Sequence, residues 1–199
     1  MSYILGVDEA GRGPLAGPVV VGVVLIPARL NLAGMFPGLN DSKKLSEKKR
    51  EKIFEDALKR HEQGDISFCV KFVRAQDIDR AGITHAVRSS VHAGVRALAP
   101  QPLDAHVYLD GLLHAPEEYS QETVVGGDGK IPAIMLASVV AKVVRDRYMV
   151  TISAEYPQYG FEKHKGYGTK MHQEAIRTHG LSDIHRRTFC RAFTGDVAA

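Results

Sequence analysis

The stretch Asp8-Glu9-Ala10-Gly11-Arg12-Gly13-Pro14-Leu15-Ala16-Gly17-Pro18 stands between two apolar runs, residues 3–7 and 19–26. Two adjacent carboxylates therefore follow a predicted core strand, and a glycine-rich turn leads into a second strand. Carboxylates are seldom placed beside a core unless a positive partner meets them. That partner is a metal ion, a basic side chain or a helix N-terminus, and features elsewhere in the sequence distinguish these alternatives.

Outward from this stretch, the spacing of apolar residues predicts a layered α/β fold. Alternation and turn residues predict five strands, at 3–8, 18–26, 66–72, 106–110 and 122–125. Two helices are predicted from Ser46 as N-cap to about His61 and over 84–98 with Thr84 as N-cap. Two more are predicted over about 133–155 and from Thr169 as N-cap to about Thr178. Residues 28–41 are predicted to form a loop. This order predicts a central mixed five-stranded sheet flanked by helices, with a helical C-terminal part.

Length and composition predict one soluble domain. The chain has 199 residues, of which 44% are hydrophobic, enough for one core. We expect a single domain over 1–199 with a flexible tail of a few residues. No apolar run is long enough to span a bilayer, and the N-terminus lacks signal-peptide features. Cys69 and Cys190 have no metal-type spacing, so we expect reduced thiols, a cytoplasmic location and, by default, a monomer.

The charge is small overall and unevenly distributed. The formal net charge is +3, but residues 43–60 hold eight Lys or Arg against four acids, and residues 142–191 hold ten against five. Basic segments around an acidic remainder suit a protein that holds a polyanion such as nucleic acid. Solvated helix faces are the ordinary alternative explanation of the same pattern.

The acids at predicted strand ends are the candidate metal ligands. Asp8, Asp110 and Asp128 each follow a predicted strand, and Glu9 follows Asp8 directly. If those ends are neighbours, four carboxylates converge, which is tolerable when a divalent cation neutralises them. Oxygen-only ligands suit Mg²⁺ or Mn²⁺, and two such ions support phosphodiester cleavage. The alternative is four independent surface acids or helix caps.

Other site types are disfavoured by context. Residues 11–16 satisfy a dinucleotide-binding glycine pattern, but Pro14 and Pro18 prevent a helix from starting there. Residues 126–130 are not a P-loop, because Val124 stands at the position of the first glycine and Ile131 where Ser or Thr is needed. No nucleophile elbow and no zinc motif occurs. The histidines at 164, 172, 179 and 185 are therefore interpreted as surface or capping groups.

Two further segments suit phosphate and sugar contacts. Residues 41–45, Asp-Ser-Lys-Lys-Leu, combine small hydrogen-bonding groups with two cations, and residues 159–169 interleave aromatics, glycines and cations. Such loops stack on sugars or bases and contact phosphates. Each segment is equally explained as a loop that caps a helix.

Taken together, the segments resemble the bacterial ribonuclease HII family, the type-2 ribonucleases H. The matching blocks span nearly the whole chain in the family's order: 8–19, 41–45, 110–111, 127–128, 137–146, 164–169 and 185–189. The resemblance implies a ribonuclease H-like fold. It also implies a metal-dependent endonuclease that cuts RNA in RNA–DNA hybrids and 5′ to single ribonucleotides in duplex DNA, leaving 5′-phosphate and 3′-hydroxyl ends.

The resemblance also assigns roles to residues. It implies that Asp8, Glu9, Asp110 and Asp128 bind two Mn²⁺ or Mg²⁺ ions. It implies that Gly11, Arg12 and Gly13 contact the ribonucleotide 2′-hydroxyl, largely through backbone, and that Tyr167 stacks under the deoxyribose on the 3′ side. We expect Ser42, Lys43, Lys44, Lys165 and Arg187 to contact substrate, the four basic residues through phosphates.

One position departs from the family, and two other functions stay open. Gly127 and Gly129 flank Asp128 where the family has lysine before the acid and alanine or serine after it. Asp146 is the alternative ligand, although an i,i+4 pair with Lys142 explains it equally well. A non-catalytic nucleic-acid-binding module and a small-molecule phosphatase or phosphotransferase are the alternative functions.

Overall fold

The computed structural model describes residues 2–194. Its strands are β1 (Tyr3–Ala10), β2 (Val19–Pro27), β3 (Ser67–Val73), β4 (Ala105–Asp110) and β5 (Ser120–Val124). Its α-helices are α1 (Leu32–Met35), α2 (Glu47–Glu62), α3 (Ala75–Ala81), α4 (Ile83–Leu98), α5 (Pro132–Ile152), α6 (Phe161–His164), α7 (Lys170–His179) and α8 (Arg191–Thr194). Short 3-10 helices span Pro102–Asp104, Gly127–Gly129 and Arg187–Phe189. The predicted flexible tail falls on 195–199, outside the described residues.

The five strands form one mixed sheet in the order β3-β2-β1-β4-β5. The central strand β1 pairs antiparallel with β2 and parallel with β4, and β4 pairs parallel with β5. The expected mixed five-stranded sheet is confirmed. Because β1, β4 and β5 are parallel, their carboxyl ends meet at one edge of the sheet.

Helix α5 lies directly on the central strands because glycines leave room for it. A Cβ on Gly6 of β1 would come 2.1 Å from the Ala133 backbone, and one on Gly22 of β2 would come 2.5 Å from the Ala137 carbonyl oxygen. Buried side chains of α5 and α2 form a core on this face, and α4 covers the opposite face with Val87, Val91 and Val95. The sheet is therefore buried on both faces, which explains the nearly continuous apolar run of β2.

A third hydrophobic cluster belongs to the C-terminal segments. Tyr159, Phe161, Ile176 and Cys190 pack there against Met149 at the end of α5. Of the helices in the described part of the chain, none is long and apolar enough to cross a membrane. Cys69 and Cys190 are both free thiols.

Several predicted elements need correction. The predicted loop 28–41 contains α1, a single turn whose cap is Asn31, and α3 was not predicted. Thr84 is not a cap but the second residue of α4, which begins at Ile83 after Gly82. Helix α5 ends at Ile152 rather than near residue 155. Ser46 and Thr169 cap their helices as predicted, through bonds to the Lys49 and His172 amides.

Candidate active site

Three carboxylates meet at the edge of the sheet where the parallel strands end. One carboxylate oxygen from each of Asp8, Asp110 and Asp128 lies within 4.8 Å of the other two. Asp8 belongs to β1, and Asp110 is the last residue of β4. Asp128 was predicted to lie at the end of a strand. It lies instead in the 3-10 helix, four residues after β5. That helix orients Asp110, whose Oδ1 accepts a 2.7 Å hydrogen bond from the Gly127 amide.

Burial disfavours the charged form of Asp8. This residue is 5% exposed, and burial raises its pKa well above the usual value, with the charges of Glu9 and Asp110 adding to the rise. A hydrogen bond from Ser138 partly offsets this, and the Ser138 hydroxyl lies 2.8 Å from that of Ser42. A buried carboxylate that is costly to ionise is a group that a bound cation stabilises.

Glu9 lies beside the three carboxylates but outside their group. Its carboxylate accepts a 3.1 Å hydrogen bond from Arg12. Burial raises the pKa of Glu9, and the Arg12 charge opposes the rise. Of the four acids predicted to converge, three therefore lie within 4.8 Å of one another, and Glu9 lines the adjacent cavity while paired with Arg12.

Asp128 forms an ion pair with a lysine. Lys43 Nζ lies 2.9 Å from Asp128 Oδ2, and this hydrogen bond raises the pKa of Lys43. The alternative ligand Asp146 instead pairs with Lys142 at 2.8 Å, one helical turn earlier. Asp146 is therefore not part of the cluster, and the i,i+4 explanation of it holds.

A cavity of about 240 Å³ opens beside these acids, and we call it the carboxylate cleft. Its lining residues are Asp8, Glu9, Ala10, Gly11, Arg12, Gly13, Ser42, Lys43, Asp110, Ser138, Lys142 and Tyr167. A larger groove of about 670 Å³ lies between Phe72 and Tyr148, and none of its lining residues is acidic. Chemistry that needs carboxylates therefore belongs to the smaller cavity.

The turn 11–18, here called the glycine turn, is held from inside by a buried arginine. Arg186 is 0% exposed and donates hydrogen bonds to the carbonyl oxygens of Gly11, Arg12 and Gly17 at 2.6, 2.9 and 3.0 Å. Burial lowers the pKa of Arg186 to about 9. One guanidinium thus fixes both ends of the turn.

A second buried arginine joins the glycine turn to the loop that carries Tyr167. Arg145 donates to the carbonyl oxygens of Pro18 and Lys165 at 3.0 and 2.9 Å. Its guanidinium carbon lies 5.7 Å from the centre of the Tyr167 ring, a cation–π contact. Gly11 has a φ of +91°, and a Cβ there would come 1.9 Å from Arg145 Nε, so only glycine fits.

Neither buried arginine was identified from the sequence as a site residue. Arg145 lies in a helix of mainly apolar residues. A charged residue on the buried side of such a helix is the feature from which a site role could have been inferred. Arg186 is adjacent to Arg187, which the sequence indicated instead as a phosphate contact. The structure places Arg187 exposed at the start of a 3-10 helix, outside the cleft lining, where its amide bonds to Asp79.

The remaining predicted contacts surround the cleft. Ser42 is buried within its wall, and Tyr167 lines it while 44% exposed. Lys44 lies outside the lining, with Nζ 3.9 Å from Asp41. Lys165 also lies outside it, and its ammonium donates to the Glu162 carbonyl. Lys43 is thus the predicted phosphate contact that the structure brings to the acids.

Three of the four singled-out histidines need correction. His164, His172 and His185 are buried, with exposures of 8%, 0% and 2%, whereas His179 is exposed as expected. They pack beneath the tyrosine loop, residues 165–169, and all their ring nitrogens have hydrogen-bond partners. His164 and His185 stand in blocks that carry the resemblance, but no sequence pattern shows that the three rings are buried, because their partners are mainly backbone groups and one another.

Comparison with known proteins gives matches over most of the chain. The family model for Ribonuclease HII matches residues 5–192. The Ribonuclease HII of Bacillus cytotoxicus is 46% identical over 189 residues, covering 95% of this chain and 69% of the relative. That of Endomicrobium trichonymphae is 45% identical and covers 94% and 84%.

Solved structures agree on the fold. The crystal structure of ribonuclease H2 from Pyrococcus horikoshii OT3 matches with a TM-score of 0.78 and 25% identity, covering 97% of both chains. The crystal structure of Bst-RNase HIII in complex with Mn²⁺ matches with a TM-score of 0.62 at 17% identity, over 94% of this chain and 64% of that one. The expected ribonuclease H-like fold is confirmed.

Proposed function

Because the chain belongs to the ribonuclease HII family and is thus an endoribonuclease acting on nucleic acid, we propose its substrates in detail. It hydrolyses the RNA strand of RNA–DNA hybrids and also cuts 5′ to single ribonucleotides in duplex DNA, the first cut in their excision repair. The products carry 5′-phosphate and 3′-hydroxyl ends. The observation that carries this proposal is the meeting of Asp8, Asp110 and Asp128 beside a cleft that is also lined by residues 11–13 of the glycine turn.

The proposed cofactor is Mn²⁺ or Mg²⁺, most simply as two ions. The donor set fits, because the three clustered groups are all carboxylates and divalent hard cations prefer oxygen ligands. The raised pKa of Asp8 and the ammonium of Lys43 at Asp128 both mark a place where positive charge is favoured. Asp8, Glu9, Asp110 and Asp128 would hold the metal. When bound, such ions supply Lewis-acid activation of water and stabilise a departing oxygen.

The chain's own residues then provide orientation. The Gly127 amide fixes the Asp110 carboxylate, and Ser138 supports that of Asp8. We propose that Gly11, Arg12 and Gly13 meet the 2′-hydroxyl through backbone groups, since that group distinguishes RNA from DNA. Gly13 supports this role, because a Cβ there meets nothing within 4 Å and the backbone is open to a sugar.

Binding of the duplex is proposed to rest on stacking and phosphate contacts. Tyr167 presents a ring at the cleft for the deoxyribose on the 3′ side. Ser42 and the cations of Lys43, Lys44, Lys165 and Arg187 would contact the backbone without reading base sequence. We therefore expect binding to weaken with salt and to vary little with sequence. We propose that the protein acts as a monomer in the cytoplasm, where its two free thiols would stay reduced.

The decisive experiment maps cleavage on a DNA duplex containing one ribonucleotide, with Mn²⁺ or Mg²⁺ supplied in turn. We expect a single cut on the 5′ side of the ribonucleotide and a 5′-phosphate on the downstream product. No cleavage with either ion would favour a non-catalytic binding module. Cleavage of small phosphate esters alone would favour a phosphatase.

A matched pair of variants tests the carboxylates. Asp8→Asn removes the charge of the most buried acid and should abolish cleavage while hybrid binding stays largely intact. Asp104→Asn is the control, because Asp104 is exposed and precedes β4 at the opposite end from Asp110. Wild-type turnover by Asp8→Asn would refute the assignment of Asp8.

A further inference from the structure

The three buried histidines lie outside the carboxylate cleft but directly under the tyrosine loop. The rings of His164 and His172 stack with centroids 4.5 Å apart, and His172 Nε2 lies 3.0 Å from His185 Nε2. None of the three lines the cleft. Because their ring nitrogens are all engaged by protein groups, they do not present a metal site.

The hydrogen-bond directions among them follow from one backbone amide. The Ser182 N–H donates to His185 Nδ1 at 2.9 Å, so that nitrogen is an unprotonated acceptor. In a neutral ring the proton of His185 is then on Nε2, which donates to His172 Nε2. The proton of His172 is in turn on Nδ1, which donates to the Tyr167 carbonyl oxygen at 3.0 Å. We call Ser182, His185 and His172 the histidine relay.

The neutral state that this assignment needs is favoured by the surroundings. Burial lowers the pKa of both His172 and His185 to about 4; His164 adds to the lowering at both rings, and His172 adds to it at His185. At neutral pH each ring therefore holds one proton. Every hydrogen bond of the relay is therefore donated in the same direction, from Ser182 toward Tyr167.

The relay ends on the residue whose side chain faces substrate. The Tyr167 carbonyl accepts from His172 and from the Thr169 amide, while the Tyr167 amide donates to the His164 carbonyl. The same residue presents its ring to the cleft. Shifting the backbone at Tyr167 would therefore shift the ring.

We propose that His172 and His185 are positioning residues that fix the Tyr167 ring for stacking on substrate. The proposal rests on the stacking role given to Tyr167 under the proposed function. According to this proposal, the short segment that follows α7 influences substrate affinity through Ser182, although that segment does not line the cleft.

Two replacements at His185 separate the relay from simple packing. Asn can keep an acceptor for the Ser182 amide but has no group that reaches His172, whereas Gln can place an amide N–H near the position of Nε2. On a duplex with one ribonucleotide, we expect His185→Asn to raise KM about fivefold with little change in kcat. His185→Gln should stay within about twofold of wild type. The exposed His179→Asn on α7 is the control and should match wild type.

A double-variant comparison shows whether the effect passes through the tyrosine. In a Tyr167→Ala background, His185→Asn should add nothing further to KM, because there is no ring left to position. A further fivefold rise would overturn the proposal, as would equal KM values for His185→Asn and wild type.

Hydrogen exchange gives a readout that needs no activity. The amides of Tyr167 and Thr169 should exchange about tenfold faster in His185→Asn than in wild type, and at the wild-type rate in His179→Asn. Unchanged exchange at both amides in His185→Asn would overturn the relay whatever the kinetics. A wild-type protein that fails to cleave would contradict the proposed function instead, and the exchange rates would still decide the relay.

Discussion

Lys43 Nζ lies 2.9 Å from Asp128 Oδ2, so a side chain expected to contact phosphate neutralises a carboxylate expected to bind metal. The lysine is 79% exposed and the aspartate 9% exposed. The ammonium of Lys43 can therefore move away into solvent, while the carboxylate of Asp128 stays in the acidic cluster beside the cleft. Lys43 and a divalent ion would compete for the same oxygen in the absence of nucleic acid.

Removing this competitor should tighten metal binding. A pair with one exposed partner contributes about 0.2–1 kcal/mol, so Lys43→Met is expected to raise Mn²⁺ affinity about 1.4- to fivefold. The measurement is isothermal titration of the protein without nucleic acid. Lys44→Met is the control, since Lys44 Nζ is 3.9 Å from Asp41 and does not reach Asp128. Weaker Mn²⁺ binding by Lys43→Met would show that the ammonium does not compete.

The strands were predictable because their signal is local. Alternation and turn residues located all five, and the parallel pairing of β1 with β4 then brought Asp8 and Asp110 together. Helix α1 was missed because a single turn offers too few residues for helical periodicity. Residue type favours Thr84 as a cap, but Gly82, with φ +77°, ends α3 and leads straight into α4 at Ile83.

The support of the site was not predictable for a different reason. Arg186 bonds to carbonyls 169 to 175 residues away, and His172 bonds to a carbonyl and to another buried histidine. Every residue has a backbone carbonyl, so no sequence motif indicates which carbonyl a buried side chain will contact. Asp128 was indicated both by its place after the predicted strand 122–125 and by the resemblance, although it lies in a 3-10 helix that was not predicted.

The buried arginine beneath the glycine turn should be hard to replace. Lysine keeps the charge, but its single ammonium cannot reach the carbonyls of Gly11, Arg12 and Gly17 together. Leaving buried acceptors unsatisfied costs about 1–3 kcal/mol each. We expect Arg186→Lys to lower the free energy of unfolding by about 2–4 kcal/mol in urea denaturation.

An exposed arginine provides the comparison for that measurement. Arg177 is 55% exposed and pairs only locally, with Glu174 at 3.3 Å. Arg177→Lys should therefore change stability by less than about 0.5 kcal/mol. Similar losses for the two variants would mean that the three carbonyl bonds of Arg186 contribute little.

Gly11 and Gly13 of the glycine turn should respond differently to replacement by alanine. At Gly11 a Cβ collides with Arg145 at 1.9 Å and φ is +91°, so Gly11→Ala should cost at least about 2 kcal/mol of stability. At Gly13 a Cβ meets nothing, so Gly13→Ala should fold with wild-type stability within about 0.5 kcal/mol. Its methyl group would still enter the cleft, and KM for a single-ribonucleotide duplex should rise. Thermal unfolding and steady-state kinetics on both variants check this, and an unchanged KM for Gly13→Ala would remove Gly13 from the substrate contacts.

The buried histidines should make stability fall on mild acidification. Unfolded His172 and His185 bind protons near their ordinary pKa of 6.5, whereas the folded forms do so only near a pKa of about 4. The unfolded state therefore holds more protons between these values, and stability is complete above about pH 6.5 and lost as pH falls toward 4. A tenfold difference in proton affinity between the folded and unfolded forms corresponds to about 1.4 kcal/mol for each histidine.

Replacing one of these histidines tests that pH dependence. His185→Asn removes one group whose folded form resists protonation, so its stability deficit relative to wild type should shrink as the solution becomes more acidic. Urea unfolding of both proteins at pH 7, about 5.5 and about 4 measures this deficit across the window set by the two pKa values. A deficit that is constant across this range would mean that His185 is protonated as easily in the folded protein as in the unfolded one.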